Sequence, residues 1–178
     1  MTIPHLDWLG PIVCLFTLAL TWKDINIRYL LLCCLLSSVI GLSTLSWAMT
    51  KPILFYLWSM SMSGLFFIFV FGRRYWAYKF QKISFFTKAY EQHRYTLQEA
   101  TLLIVSLICI FSNFITFIEV YLYWIDWLDN AYYKLYVRDF LQKFMIVIST
   151  LVCFSLVFKS NRKYIKNIKS EEEDKEWN

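Results

Sequence analysis

Four apolar runs in this chain are each long enough to cross a lipid bilayer as a helix. They occupy residues 29–49, 52–72, 100–125 and 140–158. The hydrocarbon core of a bilayer is about 30 Å thick, and a helix needs roughly 20 apolar residues to cross it. With 58% hydrophobic residues among 178, the chain also carries more apolar surface than a soluble domain of its length can bury. The sequence therefore predicts an all-α, multi-pass integral membrane protein.

A fifth run, residues 8–22, is shorter. As a helix it is about 22 Å long at 1.5 Å per residue, which is less than the bilayer core. The segment before it, MTIPHLD, has no basic region and no small-residue cleavage site, so it does not resemble a removable signal peptide. We expect five membrane spans, or four if this first run lies at the membrane interface.

The positions of lysine and arginine predict the orientation of the chain. Basic residues in short loops are retained on the cytoplasmic side of a membrane. When the runs alternate in direction, 14 of the 18 basic residues fall on one side. The other side receives Lys51, Lys134 and Arg138, and Lys143 lies just inside the last run. We therefore expect the N-terminus outside, the C-terminus in the cytoplasm, and a bacterial inner (plasma) membrane location.

The fourth run carries a stripe of polar residues. Together with Cys109 and Tyr123 they recur mostly at steps of three and four, which places them on one face of a helix. The members of this stripe are Ser106, Ser112, Asn113, Thr116, Glu119 and Asp126. Such a face should point to protein or to water, because polar and ionisable groups are costly in lipid.

Glu119 is the carboxylate of this stripe that lies within the apolar run, and Lys143 lies at a similar depth in the last run. We hypothesise that the two side chains form an ion pair between neighbouring helices. The pair would either fix the register of the helices or belong to an ion path, a proton path or a sensor of an outer event. The acids and aromatic residues of the outer loop 126–139 are typical of a membrane interface, or of a pore mouth that concentrates cations.

Two segments on the predicted cytoplasmic side are candidates for contact with a partner or with lipid head groups. The chain divides into a membrane bundle over 1–158, with a basic aromatic loop at 73–99, and a charged tail over 159–178. The loop pattern indicates an interfacial amphipathic helix, or an extension of the third run that folds back. The candidate contact residues are Arg73, Arg74, Trp76, Lys79, Lys82, Lys88, Arg162, Lys163, Glu171, Glu172, Glu173, Asp174 and Trp177. Anionic lipid accounts for the basic charge, so we do not expect direct nucleic-acid binding.

The sequence predicts neither a metal site nor a cofactor. All five cysteines lie in apolar runs without a Cys-x-x-Cys pair, and the chain has two histidines, so small packing residues are the simplest interpretation. The chain contains no Gly-rich phosphate loop and no Gly-x-Ser-x-Gly motif. We therefore do not expect an enzyme.

Three functions remain for such a chain. The first is a membrane subunit that forms homo-oligomers and acts with a cytoplasmic protein. In outline, a small multi-span chain with a charged cytoplasmic face resembles the membrane subunits of bacterial antiphage defence systems such as Kiwa, which implies a membrane sensor or effector component. The second is an immunity protein against a pore-forming bacteriocin, and the third is a small ion channel or carrier that uses the polar stripe.

Overall fold

The computed structural model describes residues 6–92 and 94–176, with side chains described over 8–92 and 94–161. The described residues form helices joined by turns and short loops, and they contain no strand. The helices are α1 (Leu6–Leu20), α2 (Ile25–Met49), α3 (Leu54–Phe71), α4 (Arg73–Lys79), α5 (Ser84–Glu91), α6 (Leu97–Trp124), a π-helix (Tyr133–Arg138) and α7 (Asp139–Glu176).

Four helical segments are long and apolar enough to cross a membrane. They are Ile25–Met49, Leu54–Phe71, Leu97–Trp124 and Tyr133–Asn161. These segments confirm the predicted all-α, multi-pass class. The fifth apolar helix, Trp8–Leu20, is shorter than these spans. It nevertheless belongs to the bundle, because α1 packs against both α2 and α7.

Five helices pack around one another in a ring. The neighbours are α1 with α2, α2 with α3, α3 with α6, α6 with α7, and α7 with α1. Large apolar side chains such as Ile12, Val39, Ile68, Phe111 and Leu151 are exposed on these helices. Because lipid is as apolar as these side chains, an outward apolar surface is the arrangement that a membrane bundle requires.

Of the two forms predicted for 73–99, the structure resembles the extension of the third run that folds back, and it contains two short helices instead of one amphipathic helix. Helix α4 follows α3 directly at Gly72, and α5 folds back against α4 and contacts α2. Ala77 of α4 and Ala89 of α5 are fully buried. We call this pair the α4–α5 hairpin, and the end of the bundle that carries it the hairpin end. The opposite end is called the π-helix end.

The last helix continues without a break beyond the bundle. The backbone of α7 is helical to Glu176, whereas the apolar candidate span ends at Asn161. The 15 further residues extend the helix by about 22 Å. The predicted boundary between bundle and tail at residue 158 therefore lies inside one helix.

Candidate functional site

The polar stripe of α6 faces the inside of the bundle over most of its length. Ser106, Ser112, Asn113 and Thr116 are all buried. The Ser106 hydroxyl donates to the Ser63 carbonyl of α3 at 2.8 Å. On the other side, the amide of Gln142 on α7 donates to Asn113 Oδ1 at 3.1 Å. The stripe therefore joins α6 to both of its neighbours in the ring.

Glu119 caps the π-helix instead of pairing with a lysine. Its Oε1 accepts the Tyr133 backbone N–H at 2.7 Å, and its Oε2 accepts the Lys134 N–H at 2.8 Å. These amides belong to the first turn of the π-helix, where no preceding carbonyl is available to accept them. A negative group is also favourable near a helix N-terminus.

The hypothesised pair of Glu119 with Lys143 is not formed. Lys143 is exposed, and the ion pairs within the described side chains are Arg73–Glu99 and Arg138–Asp139. Glu119 does not pair with Lys143 because both of its carboxylate oxygens already accept hydrogen bonds from backbone amides. Sequence spacing could not show this, since the capped amides lie 14 and 15 residues further along the chain.

Asp126 leaves the stripe and terminates α6. Its φ of 57° lies in the left-handed region, which Asp tolerates better than most residues other than glycine. The Asp126 N–H bonds to the Tyr123 carbonyl, and the Trp127 N–H bonds to the Leu122 carbonyl. This pair of bonds is the Schellman motif, so Asp126 has a structural role at the helix end.

A cavity of about 420 Å³ lies inside the ring, and residues of α1, α2, α3, α6 and α7 all line it. Its wall includes Ser106 and Asn113 of the predicted stripe, with Gln142 opposite. Towards the hairpin end it is bounded by an apolar cluster that contains Leu31, Val70 and Leu156. The sequence indicated one wall of this cavity but not the other four.

Four of the five cysteines also line the cavity: Cys14, Cys34, Cys109 and Cys153. The Sγ atoms of Cys14 and Cys153 are 3.9 Å apart, across the seam between α1 and α7. Nowhere in the described ranges do three or more His, Cys, Asp or Glu side chains form a group that could hold a metal ion.

A second polar centre, which the sequence did not indicate, lies at the hairpin end around Arg73. This side chain is completely buried, and Glu99 is 2% exposed. Arg73 Nη2 donates to Asn26 Oδ1 at 2.7 Å, and Nη1 lies 3.9 Å from Glu99 Oε1. The guanidinium carbon is 4.6 Å from the centre of the Tyr29 ring. The cluster therefore connects α4 to the first turns of α2 and α6.

This burial corrects the prediction that Arg73 contacts a partner or lipid. Burial lowers the pKa of its guanidinium, and the Glu99 carboxylate opposes that change. Arg73 instead holds the α4–α5 hairpin onto the ring, because Nη2 also donates to the Ala89 carbonyl of α5 at 3.4 Å.

The other predicted contact residues divide into three groups: exposed basic residues, the partly buried Trp76, and residues whose side chains are not described. Lys79, Lys82 and Lys88 are exposed, and so is Arg74, whose guanidinium lies over the Tyr90 ring. Trp76 is partly buried and packs on Phe69, Tyr75 and Phe80. The side chains of Arg162, Lys163, Glu171, Glu172, Glu173 and Asp174, and the whole of Trp177, lie outside the described residues.

The geometry therefore defines a class: a multi-pass helical membrane protein with a largely apolar cavity inside the bundle, bordered by hydroxyl and amide groups, and a charged cluster at one end. No protein-family model matches the chain, and no curated protein or solved structure is detectably similar to it.

Proposed function

We propose that this chain is an inner-membrane subunit that self-associates and acts with a soluble cytoplasmic protein at its hairpin end. As in the defence systems that its outline resembles, it would serve as a membrane sensor or effector component. The observation that carries this proposal is the α4–α5 hairpin, which is fixed on one side and exposed on the other.

The fixed side of the hairpin consists of Arg73, Ala77 and Ala89, which are fully buried against the bundle. The exposed side presents Lys79, Lys82 and Lys88 together with the rings of Tyr75 and Tyr78. The exposed tyrosine rings offer contact area that loses little conformational freedom on binding. The lysine charges steer the encounter with a partner of complementary charge. The extension of α7 beyond Asn161 emerges at the same end and offers a second contact.

The ion-path alternative receives less support, because Glu119, its central residue, has both oxygens bonded to backbone amides. The immunity alternative needs helix faces within the membrane and makes no use of the hairpin or the tail. The two ends of the molecule can therefore be used to separate these functions.

The test compares two triple variants with the same change in charge. The first carries Lys79→Glu, Lys82→Glu and Lys88→Glu at the hairpin end. The matched control carries Lys51→Glu, Lys134→Glu and Lys143→Glu at the π-helix end, where all three lysines are also exposed. Complexes are extracted from native membranes with an N-terminal tag, and their mass and composition are measured by native mass spectrometry.

We expect the wild type and the control to retain an oligomer with a bound soluble protein, and the hairpin variant to lose at least 90% of that protein. Removal of residues 170–178 should weaken the same complex. A monomer without a soluble partner in the wild type, or equal loss in both triple variants, contradicts the proposal.

A further inference from the structure

We infer that the cavity inside the ring binds an uncharged amphiphile, with a hydrogen-bond-donating head group and an aliphatic tail, of which a medium-chain alcohol is the simplest example. This inference does not depend on the proposed soluble partner. It follows from the hydrogen bonds of the cavity wall, its lack of charge and its size.

Five of the seven Ser and Thr hydroxyls that line the cavity donate their protons to helix carbonyls. Ser63 donates to the Ser59 carbonyl at 3.2 Å, and Ser106 donates to the Ser63 carbonyl at 2.8 Å. Ser149 and Thr150 donate to the Met145 and Ile146 carbonyls, both at 2.8 Å. Ser37 likewise donates to carbonyls of its own helix, at 2.9 to 3.0 Å.

A hydroxyl group has one proton and two acceptor lone pairs. When its proton is bound to a carbonyl, what it still offers is acceptor capacity. Five such hydroxyls come from α2, α3, α6 and α7, and all five line the cavity. These five hydroxyls therefore offer acceptors to a ligand that donates a hydrogen bond.

The amide groups at the π-helix end of the cavity bond to each other only in part. Asn113 Nδ2 donates to the Cys109 carbonyl at 2.8 Å, and Asn113 Oδ1 accepts from Gln142. An amide nitrogen carries two protons, so one N–H of each amide remains for a ligand. A hydroxyl head group can accept from such an N–H and donate to a serine oxygen.

The residues that line the cavity indicate that its ligand is uncharged. No Asp, Glu, Lys, Arg or His lines the cavity in the described part of the chain. An ion placed there would have no counter-charge in a medium of low dielectric constant, which costs several kcal/mol. An uncharged donor avoids that cost.

The remaining wall is apolar, with Val13, Phe66, Leu102, Val105 and Ile146 among its members. This surface suits an aliphatic tail, which makes van der Waals contacts with the apolar side chains. The volume of about 420 Å³ falls within the range of small-molecule pockets, roughly 300 to 1,000 Å³.

The test uses octanol with a photoactivatable diazirine on its third carbon, added to the full-length protein in lipid vesicles. After irradiation, the labelled residues are identified by peptide mass spectrometry. We expect adducts on cavity residues such as Met62, Cys109 and Met145, with at least fivefold less on the exposed Phe111 and Phe144. Excess octanol should suppress the cavity adducts at least fivefold, whereas octane and octanoate should not.

A filled cavity provides the matched variant. Gly10 lines the cavity, and a Cβ added there meets no atom within 4 Å, which is also true at Gly41 outside the cavity wall. Gly10→Leu should lower cavity labelling at least fivefold, and Gly41→Leu should leave it unchanged. Ser38→Leu fills the same cavity from α2 and replaces Gly10→Leu if that variant does not fold.

Three results would overturn the inference. Labelling that is equal on cavity and lipid-facing residues would mean that the probe reports only the bilayer. Equal competition by octane would make the cavity an apolar void without head-group recognition. Stronger competition by octylammonium than by octanol would make it a cation site.

Discussion

At the residue scale, arginine and lysine have different places in this molecule. Four arginines lie over aromatic rings, whereas the lysines of the hairpin and of the π-helix end are exposed. These arginines are Arg28 over Trp22 and Phe85, Arg73 over Tyr29, Arg74 over Tyr90, and Arg138 over Phe55 and Tyr56. A guanidinium is planar and weakly hydrated, so it stacks on a ring where an ammonium group stays in water. The count of basic residues that predicted the orientation treated arginine and lysine alike.

The buried pair of Arg73 and Glu99 gives a prediction at this scale. Arg73→Met alone should reduce the free energy of unfolding by about 3 kcal/mol, because it leaves Glu99 buried without its counter-charge. Glu99→Leu alone should cost about as much. The double variant should lose less than the sum of the two, because neither charge then remains. Unfolding by SDS titration in mixed micelles measures all three values.

Arg74→Met is the control for this cycle. Arg74 is adjacent in sequence, but it is exposed and lies over Tyr90 at 5.7 Å. We expect a loss below about 1 kcal/mol, as for other exposed charges. Additive losses in the Arg73 and Glu99 double variant would show that the pair contributes no coupling.

At the element scale, the hairpin shows that tertiary contacts can override a local helical pattern of apolar residues. The sequence pattern over 73–99 left two forms open, one amphipathic helix or an extension of the third run that folds back, and Phe85 did not fit the amphipathic pattern. In the structure Phe85 stacks on Tyr29 of α2 at 6.5 Å, and Phe86 meets the same ring edge-on at 6.4 Å. The helical periodicity of a segment gives no information about a contact with Tyr29, which lies more than 50 residues earlier in the chain. The chain therefore breaks between α4 and α5, so that both rings reach α2.

The cap on the π-helix gives the prediction at this scale. Glu119→Leu removes both acceptors from the Tyr133 and Lys134 amides and should reduce stability by about 2 kcal/mol. Glu119→Gln keeps one acceptor oxygen and should cost about half as much. Thermal unfolding in detergent, followed by near-UV circular dichroism, measures the difference.

A charge exchange distinguishes capping from the pairing that the sequence first suggested. Combining Glu119→Lys with Lys143→Glu preserves any ion pair between these positions but places a cation at a helix N-terminus. We expect the double variant to be no more stable than Glu119→Lys alone. Recovery of wild-type stability would support the ion pair between Glu119 and Lys143 and contradict the capping role of Glu119.

At the scale of the whole molecule, hydropathy predicted the class and the four long spans, because span length depends only on bilayer thickness. The spacing of polar residues predicted that the α6 stripe faces protein or water, and four of its six members are buried. The cavity could not be predicted, since its other walls are mostly apolar and hydroxyls among them, such as those of Ser37 and Ser149, donate to their own helices. A hydroxyl of this kind has no signature in sequence until the neighbouring helices are known.

The orientation of the bundle is the last prediction. With 14 of 18 basic residues at the hairpin end or in the tail, a green fluorescent protein fused after Glu176 should fluoresce, because the hairpin end should be cytoplasmic. The same reporter at the N-terminus should be dark, and alkaline phosphatase there should be active, if α1 crosses the membrane beside α2 and α7. Fluorescence at both termini would leave four spans, with α1 at the cytoplasmic interface of the membrane. A dark C-terminal fusion of full length would reverse the molecule and place the lysine hairpin outside, where no cytoplasmic protein could reach it.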